Sequence, residues 1–236
     1  MKVLILAGGL GTRISEETEN KPKPMVLIGD KPILWHLMNT FSNQGYKDFV
    51  LALGYKQEVA RDWVKTFNNL DDWKIDPFDT GLGTQTGGRI KKCMQKYPGE
   101  KMIVTYGDGL SNVSVAKLLD FHNKHEKLAT VTAVRPPARF GYLQIEEDKV
   151  TNFGEKNQAD EGWINGGFFV LEPEVKDLIS DDLDLFETGA LPKLAKINEL
   201  MAFKHYGFWQ PMDTLREKNE LDKLARIDTP PWLFNS

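Results

Sequence analysis

Met1-Lys2-Val3-Leu4-Ile5-Leu6-Ala7-Gly8-Gly9-Leu10-Gly11-Thr12-Arg13 opens the chain. From Val3 to Ala7 every residue is apolar, the pattern of a strand covered on both faces rather than one alternating between core and water. The glycines that follow turn the chain sharply. With no Cβ in the way, their backbone N–H groups can approach an anion closely. The turn is not the dinucleotide fingerprint, which needs a third glycine or an alanine where this chain has Ile14. It is not a P-loop either, since no Gly-Lys-Ser/Thr follows. Glycines alone would read as a tight connection. Arg13 beside them adds a guanidinium suited to phosphate.

Working outward, the pattern continues as alternating strands and helices. Pro32 stands in the first turn of a helix whose Leu34, Leu37, Met38 and Phe41 share one side. Phe49-Val50-Leu51-Ala52-Leu53 predicts a second buried strand, and Val59, Trp63 and Phe67 a second helix. Residues 101–106 predict a third strand. Asn112 is the expected cap of a helix with Val115, Leu118, Leu119 and His122 on one face, and residues 128–134 are again strand-like. This order predicts an α/β fold with a Rossmann-like, doubly wound, mostly parallel sheet. Beyond Pro136 the character changes. Tyr142-Leu143-Gln144-Ile145 and Lys149-Val150-Thr151-Asn152-Phe153 predict a hairpin, and Phe168-Phe169-Val170-Leu171 a further strand. Short helices are expected at 174–179 and 191–197, a short apolar segment at 200–203, and a charged helix over 213–227 carrying Leu221, Leu224 and Ala225. The expected organisation is one domain over 1–236, an α/β half over 1–135 followed by a β elaboration over 136–236.

Composition narrows the function. A chain of 236 residues can bury a sizeable core, and 41% hydrophobic with 27% charged residues is ordinary for a soluble globular protein. With 30 Lys+Arg against 34 Asp+Glu the net charge is −4, which argues against a nucleic-acid binder and leaves room for a local basic pocket. The single cysteine, Cys93, excludes an intramolecular disulfide and suits a reducing compartment. His122 and His125 have no cysteine partners, so a structural zinc site is not expected. The opening apolar run is too short to span a bilayer and lacks a signal-peptide cleavage region. The cytoplasm is the expected place, with no membrane partner.

Two further stretches carry chemistry. In Lys21-Pro22-Lys23-Pro24 the prolines stiffen the backbone and hold the lysines extended. Tyr106-Gly107-Asp108-Gly109 ends the third strand, so Asp108 lies where ligands of open α/β sheets bind, beyond the strands' carboxyl ends. Together with the opening glycine turn, these resemble the sugar-1-phosphate nucleotidylyltransferases. Asp79-Thr80-Gly81, Thr86-Gly87-Gly88-Arg89, Trp163-Ile164-Asn165-Gly166-Gly167-Phe168-Phe169 and Gly207-Phe208-Trp209-Gln210-Pro211-Met212-Asp213-Thr214 are similar, more narrowly, to the glucose-1-phosphate cytidylyltransferase branch. The resemblance covers the chain to about Trp232.

That resemblance implies transfer of a cytidylyl group from CTP to α-D-glucose 1-phosphate, giving CDP-glucose and pyrophosphate, as in nucleotide-sugar supply for polysaccharide biosynthesis. It implies Mg²⁺ held by Asp108 and Asp213. It implies nucleotide binding by Leu6, Ala7, Gly8, Gly9, Leu10, Gly11, Thr12, Arg13, Lys23, Thr86, Gly87, Gly88, Arg89, Gly107 and Asp108, with Arg13, Lys23 and Asp108 catalytic. Gly141, Glu155, Lys156, Asn165 and Gly166 are implied for the sugar phosphate, with Arg139-Phe140-Gly141 lining the same pocket. The 1–135 half then takes the nucleotide and the 136–236 half the sugar phosphate. Trp209 is expected near the metal or in the core, and Asp213 has a second reading as the cap of a helix starting at Thr214. Two departures bear on these expectations: Glu155-Lys156-Asn157 stands where the family has Glu-Lys-Pro, and the segment from Tyr55 to Asp79 is short. They leave open the acceptor, as another sugar phosphate or a non-sugar phosphate, and the assembly, as a monomer or a homo-oligomer. A third alternative is a non-catalytic nucleotide- or sugar-binding module.

Overall fold

In the computed structural model, the residues described are 1–66, 72–136, 141–146, 148–155 and 162–233, with backbone alone for 141–146 and 152–155. The opening apolar run forms β1 (Lys2–Ala7). There follow α1 (Ser15–Thr18), a ribbon of β2 (Leu27–Ile28) and β3 (Lys31–Pro32), α2 (Ile33–Ser42), β4 (Asp48–Leu53), α3 (Gln57–Thr66), β5 (Lys74–Asp79), α4 (Thr86–Lys96), β6 (Met102–Tyr106), β7 (Gly109–Ser111), α5 (Val115–His125) and β8 (Ala129–Val134). The second half adds β9 (Gly141–Glu146), β10 (Lys149–Glu155), β11 (Ile164–Asn165), β12 (Phe169–Leu171), a 3-10 turn (Pro173–Leu178), α6 (Ala190–Lys196), β13 (Leu200–Lys204), β14 (Trp209–Pro211) and α7 (Leu215–Ala225).

β1 pairs in parallel with β4 on one side and β6 on the other, and β4 pairs in parallel with β5. The chain therefore winds outward from β1 to β5 and then crosses back to β6. The crevice between β1 and β6 is the topological switch point, where doubly wound sheets bind ligands. Beyond β6 comes β12, antiparallel to both β6 and β8. β13 runs parallel to β8; since β12 and β13 both pair with Ala129 and Thr130, they take opposite edges of β8. β11 continues the line of β12 along β8, but the register slips across Gly166-Gly167-Phe168. There Gly167 and Phe168 have φ of 74° and 48°. The predicted hairpin is present as β9 and β10, with Gly141 opposite Glu155.

The apolar strands are covered on both faces of the sheet, as their composition requires. Val3, Ile5, Phe49, Leu51 and Ile103 face a core shared with Leu34, Leu37 and Phe41 of α2, Leu118 of α5 and Leu221 of α7. Leu4, Leu6, Val50, Ala52 and Val104 face the other, shared with Ile90 and Cys93 of α4 and Leu194 of α6. Alternate residues of one strand thus feed two separate cores.

Three expectations change and one strand is new; the helix expected at 174–179 is the 3-10 turn Pro173–Leu178. The cap of α5 is Ser114, whose Oγ accepts from the Lys117 N–H at 3.3 Å; Asn112 lies too early and its N–H donates to the Phe208 carbonyl. β5 is not predicted by the sequence, because Lys-Ile-Asp-Pro-Phe-Asp has neither an unbroken apolar run nor a clean apolar–polar alternation; it is an edge strand, where Pro77 is tolerated. The Asp213 segment enters the helix later than read, at Leu215. Phe67 lies outside the described residues. Among the described residues no helix is long and apolar enough to cross a membrane.

Candidate active site

Three strand ends build the site: Ala7 of β1, Leu53 of β4 and Tyr106 of β6. After β1 the chain turns at Gly11, whose φ of 66° lies in the left-handed region that glycine adopts without strain. A 3-10 turn at Thr12–Ile14 follows, closed by the Ile14 N–H on the Gly11 carbonyl at 3.1 Å. Ile14 is fully buried and anchors the turn, while the Arg13 side chain stays largely in solvent. Pro22 and Pro24 frame another 3-10 turn, Lys23–Met25, that buries Lys23. From α4, Arg89 reaches beneath the glycine turn. It donates to the carbonyls of Gly8 (3.0 Å) and Leu53 (2.9 Å) and to Thr80 Oγ1 (2.6 Å). A buried arginine thus ties the ends of β1, β4 and β5 together.

These elements enclose a cleft of about 360 Å³, lined among others by Leu6, Ala7, Gly8, Gly9, Gly11, Thr12, Arg13, Lys23, Thr86, Arg89, Gly107 and Asp108. That size suits a small organic ligand. Leu10 points away, into a separate groove with Tyr55 and Glu19.

The charged groups converge at one end of the cleft. Lys23 Nζ donates to Asp108 Oδ2 at 2.6 Å and to Asp213 Oδ1 at 2.7 Å. Arg13 donates to the other oxygen of Asp213 at 2.8 Å. Burial alone would favour the neutral amine of Lys23, but the carboxylates of Asp108 and Asp213 outweigh it and raise its pKa above the ordinary lysine value. Asp108 and Asp213, distant in sequence, meet because β14 pairs antiparallel with β7, and the Met212 N–H donates to the Asp108 carbonyl at 2.8 Å. Asp213 is not the helix cap. Thr214 fills that role in a reciprocal capping box with Glu217, whose carboxylate also accepts from the Asp213 N–H at 2.7 Å. The Asp213 side chain is thereby directed to Lys23 and Arg13.

A second group of side chains crosses the cleft. Glu187, from the loop before α6, accepts from Thr86 Oγ1 at 2.7 Å and from the Tyr106 hydroxyl at 2.6 Å. Burial, reinforced by the Glu187 carboxylate, pushes the Tyr106 phenol up, so it remains a donor. Asn165 Nδ2 donates back to the Tyr106 oxygen at 3.1 Å, and its Oδ1 accepts from the Gly167 N–H. The chain Thr86–Glu187–Tyr106–Asn165 links the wall under α4 to the edge of β11. Glu187, Tyr106, Gln85, Thr84 and Pro24 line the cleft and were not among the sequence candidates.

Gly87 and Gly88 change their meaning. Implied by the resemblance to bind the nucleotide, they lie inside the first turn of α4, and their N–H groups face the Asp184 carbonyl at 2.9 and 3.4 Å. A Cβ on Gly88 would come 2.6 Å from the Asp182 carbonyl oxygen, so these glycines let the loop of residues 180–189 lie against the helix. Neither lines the cleft. Gly166 has its N–H on the Thr132 carbonyl (2.9 Å), while its own carbonyl accepts from Trp209 Nε1 (2.8 Å). Trp209 therefore braces β14 against the Gly166 bend beside the carboxylates. Of the remaining candidates, Gly141 and Glu155 are cross-strand neighbours in the hairpin backbone. Lys156, Arg139 and Phe140 lie outside the described residues.

Among the described residues no three His, Cys, Asp or Glu side chains cluster to hold a metal ion. Asp108 and Asp213 do converge on a single cation, and two hard carboxylates suit Mg²⁺, which completes its shell with water and phosphate oxygens.

A doubly wound sheet with two cations and two carboxylates at its switch-point crevice is built to handle a phosphorylated nucleotide, and the chain belongs to the nucleotidyl transferase family, matched over residues 2–214. More particularly, it is 45% identical to the glucose-1-phosphate cytidylyltransferase of Salmonella typhi, over 98% of this chain and 98% of that protein. It is 39% identical to a probable glucose-1-phosphate cytidylyltransferase of Bacillus subtilis, over 98% of this chain and 99% of that one. Among solved structures, HddC from Yersinia pseudotuberculosis matches with a TM-score of 0.74 at 27% identity, covering 95% of this chain and 99% of HddC.

Proposed function

We propose that this enzyme transfers the cytidylyl group of CTP to α-D-glucose 1-phosphate. A phosphate oxygen of the sugar phosphate attacks the α-phosphorus of CTP. The new P–O bond forms as the bond from the α-phosphorus to the bridging oxygen breaks, and pyrophosphate leaves with the electron pair. No covalent enzyme intermediate is required. The protein aligns nucleophile with leaving group and offsets a heavily anionic transition state. The observation that carries the reading is the convergence of Arg13, Lys23, Asp108 and Asp213 beside the glycine turn.

In this reading Gly8, Gly9, Gly11 and Thr12 cradle the phosphates, and Arg13 and Lys23 neutralise the triphosphate as charge moves onto pyrophosphate. Asp108 and Asp213 hold Mg²⁺, which when bound neutralises and polarises phosphate oxygens. Thr86, Gly87, Gly88 and Arg89 match the family's base-reading region; with the amides of Gly87 and Gly88 turned toward Asp184, we assign that task to Gln85 and Thr86. Gly141, Glu155, Lys156, Asn165 and Gly166 serve the sugar phosphate, so residues 1–135 take the nucleotide and 136–236 the acceptor within one domain. We place the enzyme in the cytoplasm, consistent with its lone buried cysteine, and include homo-oligomers among its assemblies.

The test is pyrophosphate release from purified protein, with four nucleoside triphosphates crossed against a panel of phosphorylated acceptors. CTP with glucose 1-phosphate should give the highest kcat/KM. Equal turnover of dTTP would remove the base assignment, because a site built around one base edge leaves polar groups unpaired with another. Release with a non-sugar phosphate and none with sugar phosphates would remove the acceptor.

A further inference from the structure

We infer that Lys23 keeps the cation site closed until nucleotide arrives: its ammonium stands between Asp108 and Asp213, so a divalent cation enters with the triphosphate and not ahead of it. The inference rests on the proposed function for the identity of the nucleotide alone.

The geometry leaves little room for another arrangement. One oxygen of each carboxylate lies 2.6 or 2.7 Å from the same nitrogen, and Arg13 takes the second oxygen of Asp213. Two carboxylates thus already meet two cations. The Lys23 side chain is 9% exposed, and its Cβ packs beneath Gly11, so its stem is held while its tip lies at the cleft wall. A bare dication arriving here must displace the ammonium and remain close to it. Like charges a few ångströms apart in a partly dry site repel strongly. Displacement also strands a buried ammonium, which is costly without new acceptors.

A triphosphate changes this balance. Its oxygens give Lys23 and Arg13 new acceptors, and its negative charge offsets the incoming dication. Lys23 then exchanges carboxylates for phosphates, and the carboxylates pass to the metal. The exchange carries the ammonium to the phosphates that must leave. Lys23 is in this sense a positioning residue for the cation as well as a ligand of the nucleotide, and productive binding is conditional on both partners.

The experiment uses Mn²⁺ as the probe, followed by the loss of its free-ion EPR signal on titration into nucleotide-free protein. Wild type should bind Mn²⁺ only weakly. Lys23→Met, which keeps the bulk of the stem and removes the charge, should bind it at least about tenfold more tightly, a gain that adding Asp108→Asn should abolish. Thermal melts of each variant confirm folding. Tight Mn²⁺ binding by nucleotide-free wild type would overturn the inference without any variant, and so would a folded Lys23→Met protein that gains no affinity. A further titration with CTP present should show wild type holding Mn²⁺ beyond the amount that the same CTP binds without protein. The nucleotide-free titrations decide the exchange on their own; replacement of CTP by a different triphosphate in the last arm would revise the substrate and not the exchange.

Discussion

Lys21 and Lys23 share one proline-stiffened segment, and the fold separates them completely. Lys23 is buried between two carboxylates, whereas Lys21 is half-buried and makes no ion pair among the described residues. Removing a group that matters most as charge moves onto the leaving pyrophosphate should lower kcat more than it raises KM. Lys23→Ala should therefore lower kcat by roughly a hundredfold or more, on the scale of losing one transition-state donor. Lys21→Ala should stay within about threefold, since it removes a charge that makes no ion pair among the described residues. Steady-state kinetics with varied CTP decide the ranking, and the reverse order would transfer the role to Lys21. Arg13, Lys23 and Asp108 stood out in the sequence because glycines or prolines mark the turns that carry them: Gly11 lies two residues before Arg13, prolines flank Lys23 and glycines flank Asp108. Glu187 was not. It sits in an acidic loop with Asp181, Asp182 and Asp184, where a solvated charge run is the ordinary reading, and only the fold carries it to Thr86 and Tyr106. Glu187→Gln would set an amide N–H₂ against one of two hydroxyl donors. An unsatisfied buried contact costs about 1–3 kcal/mol; these contacts are partly buried, so kcat/KM should fall roughly tenfold while Glu187→Ala falls further. A fully active Glu187→Gln enzyme would leave that carboxylate without a part in the site.

The capping box of α7 sets the direction of Asp213, because Glu217 accepts from the backbone N–H groups of both Asp213 and Thr214. Thr214→Ala removes one half of that arrangement and should cost about 1 kcal/mol of stability. It should also lower activity beyond what stability explains, as Glu217, which holds the Asp213 N–H, loses the Thr214 half of the box that fixes it. Thr214→Ser should restore both, and urea unfolding alongside kinetics separates the two effects. The α4 glycines make a different point about elements. A glycine pair near a helix start reads from sequence as a loop approaching a ligand. Here the close approach is made by the backbone of Asp182 and Asp184, a contact that no local signal announces. In isolation Gly88→Ala would favour the helix by about 1 kcal/mol. In this fold it should lower the melting temperature, because a Cβ 2.6 Å from a carbonyl oxygen must displace the loop that carries Glu187. A melting temperature at or above wild type would show that the loop yields freely.

For the whole molecule, the parallel half of the sheet was readable because its strands are buried on both faces, and that demand is written as uninterrupted apolar runs. The second half is not organised that way. β12 enters antiparallel and β13 is only partly buried, so long-range pairing rather than local composition fixes their places. One polar network binds these halves. The Lys127 N–H donates to His125 Nδ1 at 2.9 Å, and His125 Nε2 lies 2.7 Å from Thr130 Oγ1. Thr130 Oγ1 lies 2.8 Å from His122 Nδ1, and His122 Nε2 lies 3.1 Å from Glu172 Oε1, which also pairs with Lys101. A fully neutral proton assignment satisfies every contact. His125 donates to Thr130, Thr130 to His122, and His122 to Glu172, with both imidazoles neutral. Adding a proton to His125 at Nδ1 would turn a donor on the Lys127 N–H, and adding one to His122 at Nδ1 would force the Thr130 hydroxyl to give up its donation and accept from both rings. Burial acts in the same direction and lowers the pKa of His122, as it does for His36 under Trp232. A folded pKa below the unfolded value means that the unfolded chain takes up protons first as the pH falls. Stability is therefore full above about pH 6.5 and declines below it, by up to about 1.4 kcal/mol per pH unit for each such histidine, until the folded pKa is reached. Most carboxylates titrate lower, so the window from pH 6.5 to about 5.5 isolates the histidines. Urea midpoints at pH 7.5, 6.5 and 5.5 should fall for wild type. They should fall less steeply for His122→Gln, which starts from lower stability because it gives up part of the network. Parallel declines for the two proteins would show that His122 titrates alike in both states, and that the link between α5, β8 and Glu172 does not depend on its remaining neutral.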